Sequence, residues 1–476
     1  MLTLLVGAFA VYLLARLTKP SNKALALCTA GVFGVALLTL VYLTAEVNAA
    51  ADPALTSWLV IGATALRTTP AARFISGIAL ALGLCVTIYS GSYISLDRRY
   101  HIYYPLLLLL SVGLLGMVTA ADLFTLYLFC ELMSVASYVL VAFRRQTDTA
   151  VEAGFKYMIL GSAATLAMLM GIAWIYRETG SIMMPVDTQI GPWGRVGAAV
   201  YLVGLALKSG IVPLHTWLPD AYGRAPSSIG AFLAGVISKS TLIVMAQVGL
   251  DLGLTPQDLG LFLIIFSFVN MTTGNLLALV QQNTKRLLAY SSIAQAGYIM
   301  FALGIGLRYE QPAAIQAGFF LLLAHAVMKG LAFLSKGVAH YYTGTTLIEE
   351  LQGTFQRLPL ISVTFTLALL GLVGLPPLVG FGAKWMILSE ALSPQDWLIT
   401  AGIVLFLVNT LVSLGAYLPV MVNLFRPGLD ESARIRIPIS VWMVAPIVVL
   451  AILVVAMGLY PTPWMAQSAE LLVVRR

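Results

Sequence analysis

Long apolar runs separated by short polar segments follow one another along almost the whole chain. Each run is about 20 residues long, the length that an α-helix needs to cross the hydrocarbon core of a bilayer. The pattern predicts about fourteen spans, at roughly 1–18, 23–45, 73–94, 103–120, 122–143, 155–176, 195–213, 227–250, 258–280, 287–307, 313–338, 358–390, 399–424 and 438–460. We therefore predict an all-α polytopic membrane protein with a single integral domain, residues 1–476.

Two of the predicted spans contain residues that cannot continue a regular helix. Span 7 runs into Pro213 in the stretch KSGIVP, and span 12 contains the stretch GLVGLPPLVGFG at residues 371–382. Non-helical backbone at membrane depth persists only against protein or a water-filled cavity. Broken helices at corresponding positions of two halves indicate a transporter built from inverted repeats, with sites near the midplane.

Composition supports the membrane assignment and excludes several other classes. Apolar residues make up 60% of the chain and charged residues only 10%, which excludes an ordinary soluble protein. The cysteines Cys28, Cys85 and Cys130 fall within predicted spans and form neither a disulfide framework nor a cluster-binding motif, so we expect them to pack.

Basic residues of the predicted loops lie mostly after odd-numbered spans. Examples are Arg16, Arg144, Lys285, Lys336 and Arg426. By the positive-inside rule these loops face the cytoplasm, so both termini are predicted to face outward. This asymmetry accounts for the net charge of +7 without a nucleic-acid partner.

A second group of charged residues falls inside the spans. Its lysines are Lys156, Lys208, Lys239, Lys329 and Lys384, and its one mid-span carboxylate is Glu131. A charged side chain at the bilayer centre costs about 2.5 to 3.5 kcal/mol on insertion scales, so such residues are functional by default. Lys156 lies just inside its span and could instead reach the interface along its flexible stem.

Lysine and carboxylate groups inside a membrane span can serve to transfer protons. Burial disfavours the charged form of a lysine and a nearby carboxylate favours it, so a moving charge can switch a lysine between holding and releasing a proton. Glu131 is the carboxylate available for this purpose, and we predict that Glu131 and Lys208 form a modulating pair. The alternative is a static ion pair that ties two helices together.

The histidines and nearby hydroxyl groups extend this hypothesis. His325 and Lys329 are four residues apart and share one helix face, which suits a proton relay. His215 follows the proline of the first break, where unsatisfied backbone groups attract water. For either histidine the alternative is a hydrogen-bonded packing residue. We place His215, Lys156, Tyr290 and Ser291 as supporting residues around the main sites.

Six stretches resemble the antiporter-like proton-translocating subunits of respiratory complex I, Mrp-type sodium/proton antiporters and membrane-bound hydrogenases. They are ADLFTLYLFCELMSVASYVLVAF, EAGFKYMILGSAATL, LALKSGIVPLHTWLPDAYGRAPSSIGAFLAGVISK, NTKRLLAYSSIAQAGYIMFALGIG, AHAVMKGLAFLSKG and GLPPLVGFGAKW, within roughly residues 90–425. The resemblance implies fourteen helices with two inverted five-helix repeats, spans 4–8 and 9–13, and with helices 7 and 12 broken. It divides the chain into 1–100, a first repeat at 101–250, a second repeat at 251–425 and a C-terminal segment at 426–476.

The resemblance also implies roles for individual residues. The matching positions are Glu131, Lys208, Lys239, His325, Lys329 and Lys384. They would form a hydrophilic axis in the membrane plane, with the Glu131–Lys208 pair exchanging charge with an adjacent subunit. A lysine at 384 is similar to the N-type subunit of complex I and the D-type antiporter subunit, whereas the HTWLPDA segment is more similar to M-type and hydrogenase-type members.

The resemblance implies that this chain is a proton-pumping subunit of a redox-driven complex. The preferred complex is an NADH:quinone oxidoreductase of the complex I type. It would lie in the inner (cytoplasmic) membrane, or an equivalent energy-transducing membrane, with further antiporter-like subunits as partners. No cofactor is expected in this chain, because the sequence contains no phosphate-binding glycine loop and no cluster ligands.

Two other members of the same family and one other class remain as alternatives. An Mrp-type sodium/proton antiporter subunit would need several oxygen ligands, and Glu131 alone offers a carboxylate at the midplane. A membrane-bound hydrogenase subunit would be accompanied by a nickel–iron large subunit. A carrier of organic solutes would need a substrate-sized polar or aromatic site, whereas the spans contain single titratable groups.

Overall fold

A computed structural model describes residues 1–49, 58–61, 64–97, 99–186, 190–428 and 436–466. Parts of the predicted terminal segments 1–100 and 426–476 lie outside these ranges. The helices before the first break are α1 (Leu2–Thr18), α2 (Asn22–Ala49), α3 (Pro70–Tyr93), α4 (Tyr100–Thr119), α5 (Leu123–Val141), α6 (Asp148–Thr179) and α7 (Pro192–Ser209). Those of the middle are α8 (Trp217–Arg224), α9 (Ser227–Phe232), α10 (Ser238–Asp251), α11 (Pro256–Leu279), α12 (Thr284–Arg308) and α13 (Pro312–Thr343). The last are α14 (Thr354–Arg357), α15 (Pro359–Val373), α16 (Val379–Ala391), α17 (Trp397–Phe425), α18 (Val441–Leu459) and α19 (Thr462–Ala466).

These elements confirm the predicted all-helical polytopic class. Within the described ranges, eleven helical segments are long and apolar enough to cross a membrane. Together with α1, α7 and the broken pair α15–α16, they correspond one to one with the predicted spans. The inverted relation between spans 4–8 and 9–13 and the segment boundaries stay predictions.

A short β-hairpin between α2 and α3 was not predicted. Strand β1 (Trp58–Ile61) pairs antiparallel with β2 (Thr64–Arg67). The loop between α4 and α5 holds β2 in place, because the Ala121 amide donates to the Ala65 carbonyl at 2.9 Å and the Ala65 amide donates to Asp122 Oδ2 at 3.2 Å. The hairpin therefore lies at the same end of the bundle as the start of α5.

The two ends of the bundle are distinguished by their loops. We call the end that carries Met1, the β-hairpin and residues 460–466 the termini face, and the other end the opposite face. The spans alternate in direction, so α10 ends at the termini face, where the Val186 amide donates to the Asp251 carbonyl at 3.0 Å. At the opposite face, the Thr284 amide at the start of α12 donates to the Thr346 carbonyl at 2.9 Å.

Both predicted helix breaks are present, although their limits differ from those predicted. Helix α7 ends at Ser209, before Pro213, because Gly210 adopts a left-handed conformation with φ +74° that closes the helix. In the same way Gly374, with φ +92°, ends α15, and α16 resumes at Val379. The second break thus spans 374–378 rather than 371–382.

A third irregularity interrupts span 8, which the sequence pattern predicted to be continuous. Residues Leu233–Ile237 form a π-helical segment between α9 and α10. π-Helical segments are rare in proteins, and those that occur often lie at functional sites. The segment ends two residues before Lys239.

Helices α10, α12 and α13 form the centre of the bundle, and α2, α17 and α18 are far more exposed. The central helices are almost completely covered by protein, yet they contain Lys239, His325 and Lys329. Charged groups at these positions are therefore separated from lipid by other helices.

Close packing of α11 against α12 depends on Gly274. A Cβ atom at this position would lie 2.5 Å from the Ala294 amide nitrogen, so backbone atoms of α12 would have to move. We expect Gly274→Ala to destabilise the protein by about 1 to 3 kcal/mol, the usual cost of overpacking. Thermal unfolding of the detergent-solubilised protein would show a lower midpoint. Gly31→Ala is the matched control, because nothing lies within 4 Å of a Cβ atom there; an unchanged midpoint for Gly274→Ala would contradict the close approach.

Candidate proton-transfer axis

Lys208 lies in the last turn of α7, directly before the first break. Its side chain is buried, with 5% exposure, and its ammonium donates to Ser134 Oγ and to Tyr138 Oη, the latter at 3.3 Å. Both acceptors belong to α5, and Ser134 in turn donates to the Cys130 carbonyl at 2.6 Å. The break exposes the end of α7 to these polar groups, which hold the ammonium at membrane depth.

Glu131 lies on the same face of α5, one turn before Ser134. Its side chain is half-buried, and its Oε2 atom is buried without a hydrogen-bond partner in the described part of the chain. The ion pairs among the described residues include neither Glu131 nor Lys208, although the two charges act on each other through space. The described residues thus show no direct salt bridge between Glu131 and Lys208; Lys208 instead donates to Ser134, one turn from Glu131 on α5.

Lys239 and His325 meet at one backbone carbonyl. Lys239 Nζ donates to the Ala234 carbonyl at 3.4 Å and to Ser238 Oγ at 3.1 Å. His325 Nε2 lies 3.1 Å from the same carbonyl oxygen, and its Nδ1 atom is buried without a partner among the described residues. Ala234 belongs to the π-helical segment, so this irregularity brings span 8 and span 11 to a common polar group.

Lys329 is fully buried on α13, one turn from His325. Its ammonium donates to the Leu288 carbonyl and to Ser291 Oγ, both at 2.7 Å. Ser291 is also hydrogen-bonded to the Tyr417 hydroxyl of α17. These contacts place Lys329 between α12 and α13 and bring the predicted supporting residue Ser291 into direct contact with it.

Lys384 occupies the second break. Its ammonium donates to the carbonyls of Leu372, at 3.2 Å, and Val373, at 2.8 Å, which close the C-terminal end of α15. A cation is favoured at this end because of the helix dipole. Lys384 Nζ also lies 4.4 Å from the centroid of the Tyr298 ring. Gln295, one turn beyond Ser291 on α12, donates to the same Leu372 carbonyl at 3.0 Å and so links this site to α12.

Five of the main predicted residues form a series on packed helices, which we call the line: Lys208, Lys239, His325, Lys329 and Lys384. Lys239 and His325 share the Ala234 carbonyl, and His325 and Lys329 are one turn apart on α13. The contacts of Ser291, Gln295 and the Leu372 carbonyl lie between Lys329 and Lys384. Lys208 and Lys239 lie on neighbouring helices, α7 and α10, but share no such partner among the described residues.

The other supporting candidates lie apart from this line. Lys156 is half-exposed and pairs with Glu152 at 2.6 Å and with Asp220 at 3.7 Å. His215 lies half-buried in the first break, and its Nδ1 atom is without a partner among the described residues. Tyr290 is half-buried next to Ser291 on α12. The functions of these residues stay predictions, as do those of the main axis.

Two lysines that the sequence analysis assigned to basic loops are buried in the structure. Lys285 lies in the first turn of α12 and donates to the Ala225 carbonyl at 2.9 Å. Lys336 lies on α13, two turns from Lys329 towards the opposite face, and donates to the Thr345 carbonyl at 2.8 Å. Both side chains are buried, and Lys336 shows no exposure at all. The sequence does not indicate their burial, because both lie near span ends. Burial at a span end depends on which loops fold over the helix.

Metal binding finds no support in the described residues, which contain no group of three or more histidine, cysteine, aspartate or glutamate side chains that could hold an ion. The expectation that this chain carries no cofactor stays a prediction. Around the axis, lysine ammonium groups, the His325 imidazole and hydroxyl groups can accept and release protons, whereas the backbone carbonyls only accept hydrogen bonds.

Comparison with known proteins identifies the family of this chain. Residues 120–413 match the family described as NADH:quinone oxidoreductase/Mrp antiporter, transmembrane. Over 409 residues the chain is 32% identical to NADH-quinone oxidoreductase subunit N of Desulforudis audaxviator, covering 79% of this chain and 78% of that protein. It is 30% identical over 422 residues to the F(420)H(2) dehydrogenase subunit N of Methanosarcina mazei, covering 84% of each.

A solved structure of an archaeal respiratory membrane complex, the membrane-bound sulfane sulfur reductase, contains a similar chain. The two superpose with a TM-score of 0.88 at 27% identity, covering 99% of this chain and 95% of that one. The resemblance seen in the six sequence stretches is therefore confirmed, and this chain belongs to the NADH:quinone oxidoreductase/Mrp antiporter transmembrane family.

Proposed function

We propose that this chain is a proton-translocating, antiporter-like subunit of a redox-driven membrane complex of the NADH:quinone oxidoreductase type. The observation that carries the proposal is the series of buried ammonium and imidazole groups from Lys208 to Lys384, in which Lys239 and His325 share one carbonyl and polar groups of α12 lie between Lys329 and Lys384. Ionisable groups inside a membrane are costly, and chains of them mark proton routes. The names of the relatives support a role beside other membrane subunits.

Each end of the line has a distinct task in this proposal. Glu131 is half-buried, so a neighbouring subunit can change the charge beside Lys208 through it. Lys384 is held by carbonyls at the end of a broken helix, a site that favours a cation but offers no carboxylate. A proton moves when the charge at one group changes the proton affinity of the next.

Orientation is part of the same proposal. Arg16, Arg144 and Arg426 lie at the opposite face, so the positive-inside rule assigns that face to the cytoplasm and both termini to the outside. Protons would enter from the cytoplasm past Lys336 and Lys285 to Lys329. Electrons would be carried by cofactors of partner subunits, with this chain supplying the proton path alone.

Replacing Lys384 with glutamine tests the far end of this path. Glutamine can still donate to the carbonyls of α15 but has no proton to release, so we expect proton translocation to fall by more than half. The measurement is acidification of inverted membrane vesicles that contain the whole complex, divided by the rate of electron transfer. Lys23→Gln, an exposed lysine of α2, is the matched control. An unchanged ratio in the Lys384 variant would remove Lys384 from the path.

The same vesicles separate the proton-pump proposal from a sodium/proton antiporter. Acidification that is driven by electron transfer and persists in sodium-free buffer supports the proton pump. Acidification that requires a sodium gradient and no electron donor would replace the proposal by the antiporter alternative.

A further inference from the structure

A small cavity lies between β2, α3, α4, α5 and α10 near the termini face, away from the line of lysines. Its volume is about 40 Å³, and among its lining residues are Arg67, Met117, Leu126, Ile243, Gln247 and Asp251. A water molecule needs roughly 10–15 Å³ of such volume, so the cavity has room for about three waters. Gln247 and Asp251 supply the polar partners that such waters require.

An ion pair lies at the outer end of this cavity, beside the partly exposed Gln247. Arg67 Nη2 lies 3.3 Å from Asp251 Oδ2, and the two side chains are 12% and 10% exposed. Gln247 donates to the other carboxylate oxygen, Asp251 Oδ1, at 3.2 Å. Arg67 belongs to the β-hairpin, whereas Asp251 ends α10, so the pair joins a surface element to a membrane span.

The inner end is closed by apolar side chains. Met117, Leu126 and Ile243 are buried at the bottom of the cavity, with exposures of 2% or less. Ile243 lies one helical turn after Lys239 on α10, a rise of about 6 Å. Lys239, Ile243, Gln247 and Asp251 follow one another at four-residue spacing, so each lies one turn from the next along the helix.

In the described conformation the Lys239 ammonium points away from this cavity, towards Ala234 and His325. Its long stem has several rotatable bonds, so rotation towards Ile243 would move the ammonium from the axis to the cavity floor. A proton released there would enter water that lies beside the Arg67–Asp251 pair. The apolar floor prevents a continuous file of water while Lys239 faces the axis.

We propose that this cavity is a proton-release vestibule of the first repeat, loaded by Lys239 and gated towards the termini face by the Arg67–Asp251 ion pair. The inference rests on the proposed proton-translocating function. It adds a route by which protons leave the line at Lys239, between the Glu131–Lys208 pair at one end and Lys384 at the other. No covalent step is involved: the proton leaves the ammonium for a water, and Lys239 is left neutral.

Accessibility of Gln247 to a water-soluble reagent tests the gate without relying on pumping. Gln247→Cys is made in a chain that carries Cys28→Ser and Cys85→Ser, and the whole complex in its membrane is treated from the termini face with a charged thiosulfonate. Mass spectrometry of this chain gives the labelling rate. We expect slow labelling with the ion pair intact, and labelling roughly tenfold faster with Arg67→Gln or Asp251→Asn, a factor that corresponds to about 1.4 kcal/mol.

Ala246→Cys is the matched control, because it lies one residue earlier on α10, is fully buried and does not line the cavity. Unaccelerated labelling at position 247 in both ion-pair variants would overturn the gate, and equal acceleration at position 246 would show general loosening and overturn it as well. If Lys384→Gln and Lys329→Ala abolish pumping while labelling shows no gate, only the vestibule is lost. If those variants pump normally, the proposed function is lost whatever the labelling shows.

Discussion

Replacing Lys329 with alanine is expected to abolish proton translocation by the complex while leaving its assembly intact. Lys329 is the fully buried ammonium between His325 and Lys384, and its two hydrogen bonds connect α13 to α12. Removing it deletes the titratable group that lies between His325 and the second break. A positioned proton-transfer group typically contributes about 10²- to 10⁴-fold in rate, so translocation should fall to background.

A second substitution separates this effect from simple destabilisation. Lys329→Ala leaves a cavity in the centre of the bundle, and buried large-to-small changes cost about 2 to 5 kcal/mol. Lys329→Met fills most of that space without a titratable group, so it should retain the thermal stability of the unchanged protein better and still fail to translocate protons. The measurement is the number of protons moved per electron pair in membrane vesicles. A normal number in the methionine variant would reduce His325 and Lys329 to packing residues.

The spans and both helix breaks could be predicted because they depend on local chemistry. Apolar runs of sufficient length form membrane helices, and Gly210 and Gly374 end helices in the left-handed conformation that glycine adopts readily. The limits of the second break were predicted too widely, since Gly371 and Gly380 remain helical. A Cβ atom on Gly380 would collide with the Gly371 carbonyl, so these glycines allow α15 and α16 to pack closely.

The details of the site depend on contacts that the sequence pattern does not encode. The common carbonyl of Lys239 and His325 arises from a π-helical segment at residues 233–237, and nothing in its apolar residues signals that geometry. Lys285 and Lys336 look like loop residues until neighbouring segments are seen to cover them. The carboxylate and ammonium predicted to pair form no salt bridge, because the Lys208 ammonium donates to two hydroxyl groups on the next turns of α5.

Because Glu131 and Lys208 form no salt bridge, the feature to test is the negative charge of Glu131. Glu131→Gln keeps the shape of the side chain and removes the negative charge one turn from Ser134. We expect proton translocation to fall to the level of Lys208→Ala, because a lysine without a nearby carboxylate no longer changes its proton affinity when the adjacent subunit changes state. Assembly should be retained, since no ion pair is broken.

The measurement is the ratio of protons to electrons in membrane vesicles, with Glu152→Gln as the control. Glu152 pairs with Lys156 on an exposed surface, and exposed pairs contribute only about 0 to 1 kcal/mol, so its loss should leave the ratio unchanged. Combining Glu131→Gln with Lys208→Ala should cost no more than either change alone, because residues that act as one unit are not additive. A normal ratio in Glu131→Gln, or a double variant in which the two losses add, would mean that Glu131 and Lys208 act independently and that the signal from the neighbouring subunit arrives elsewhere.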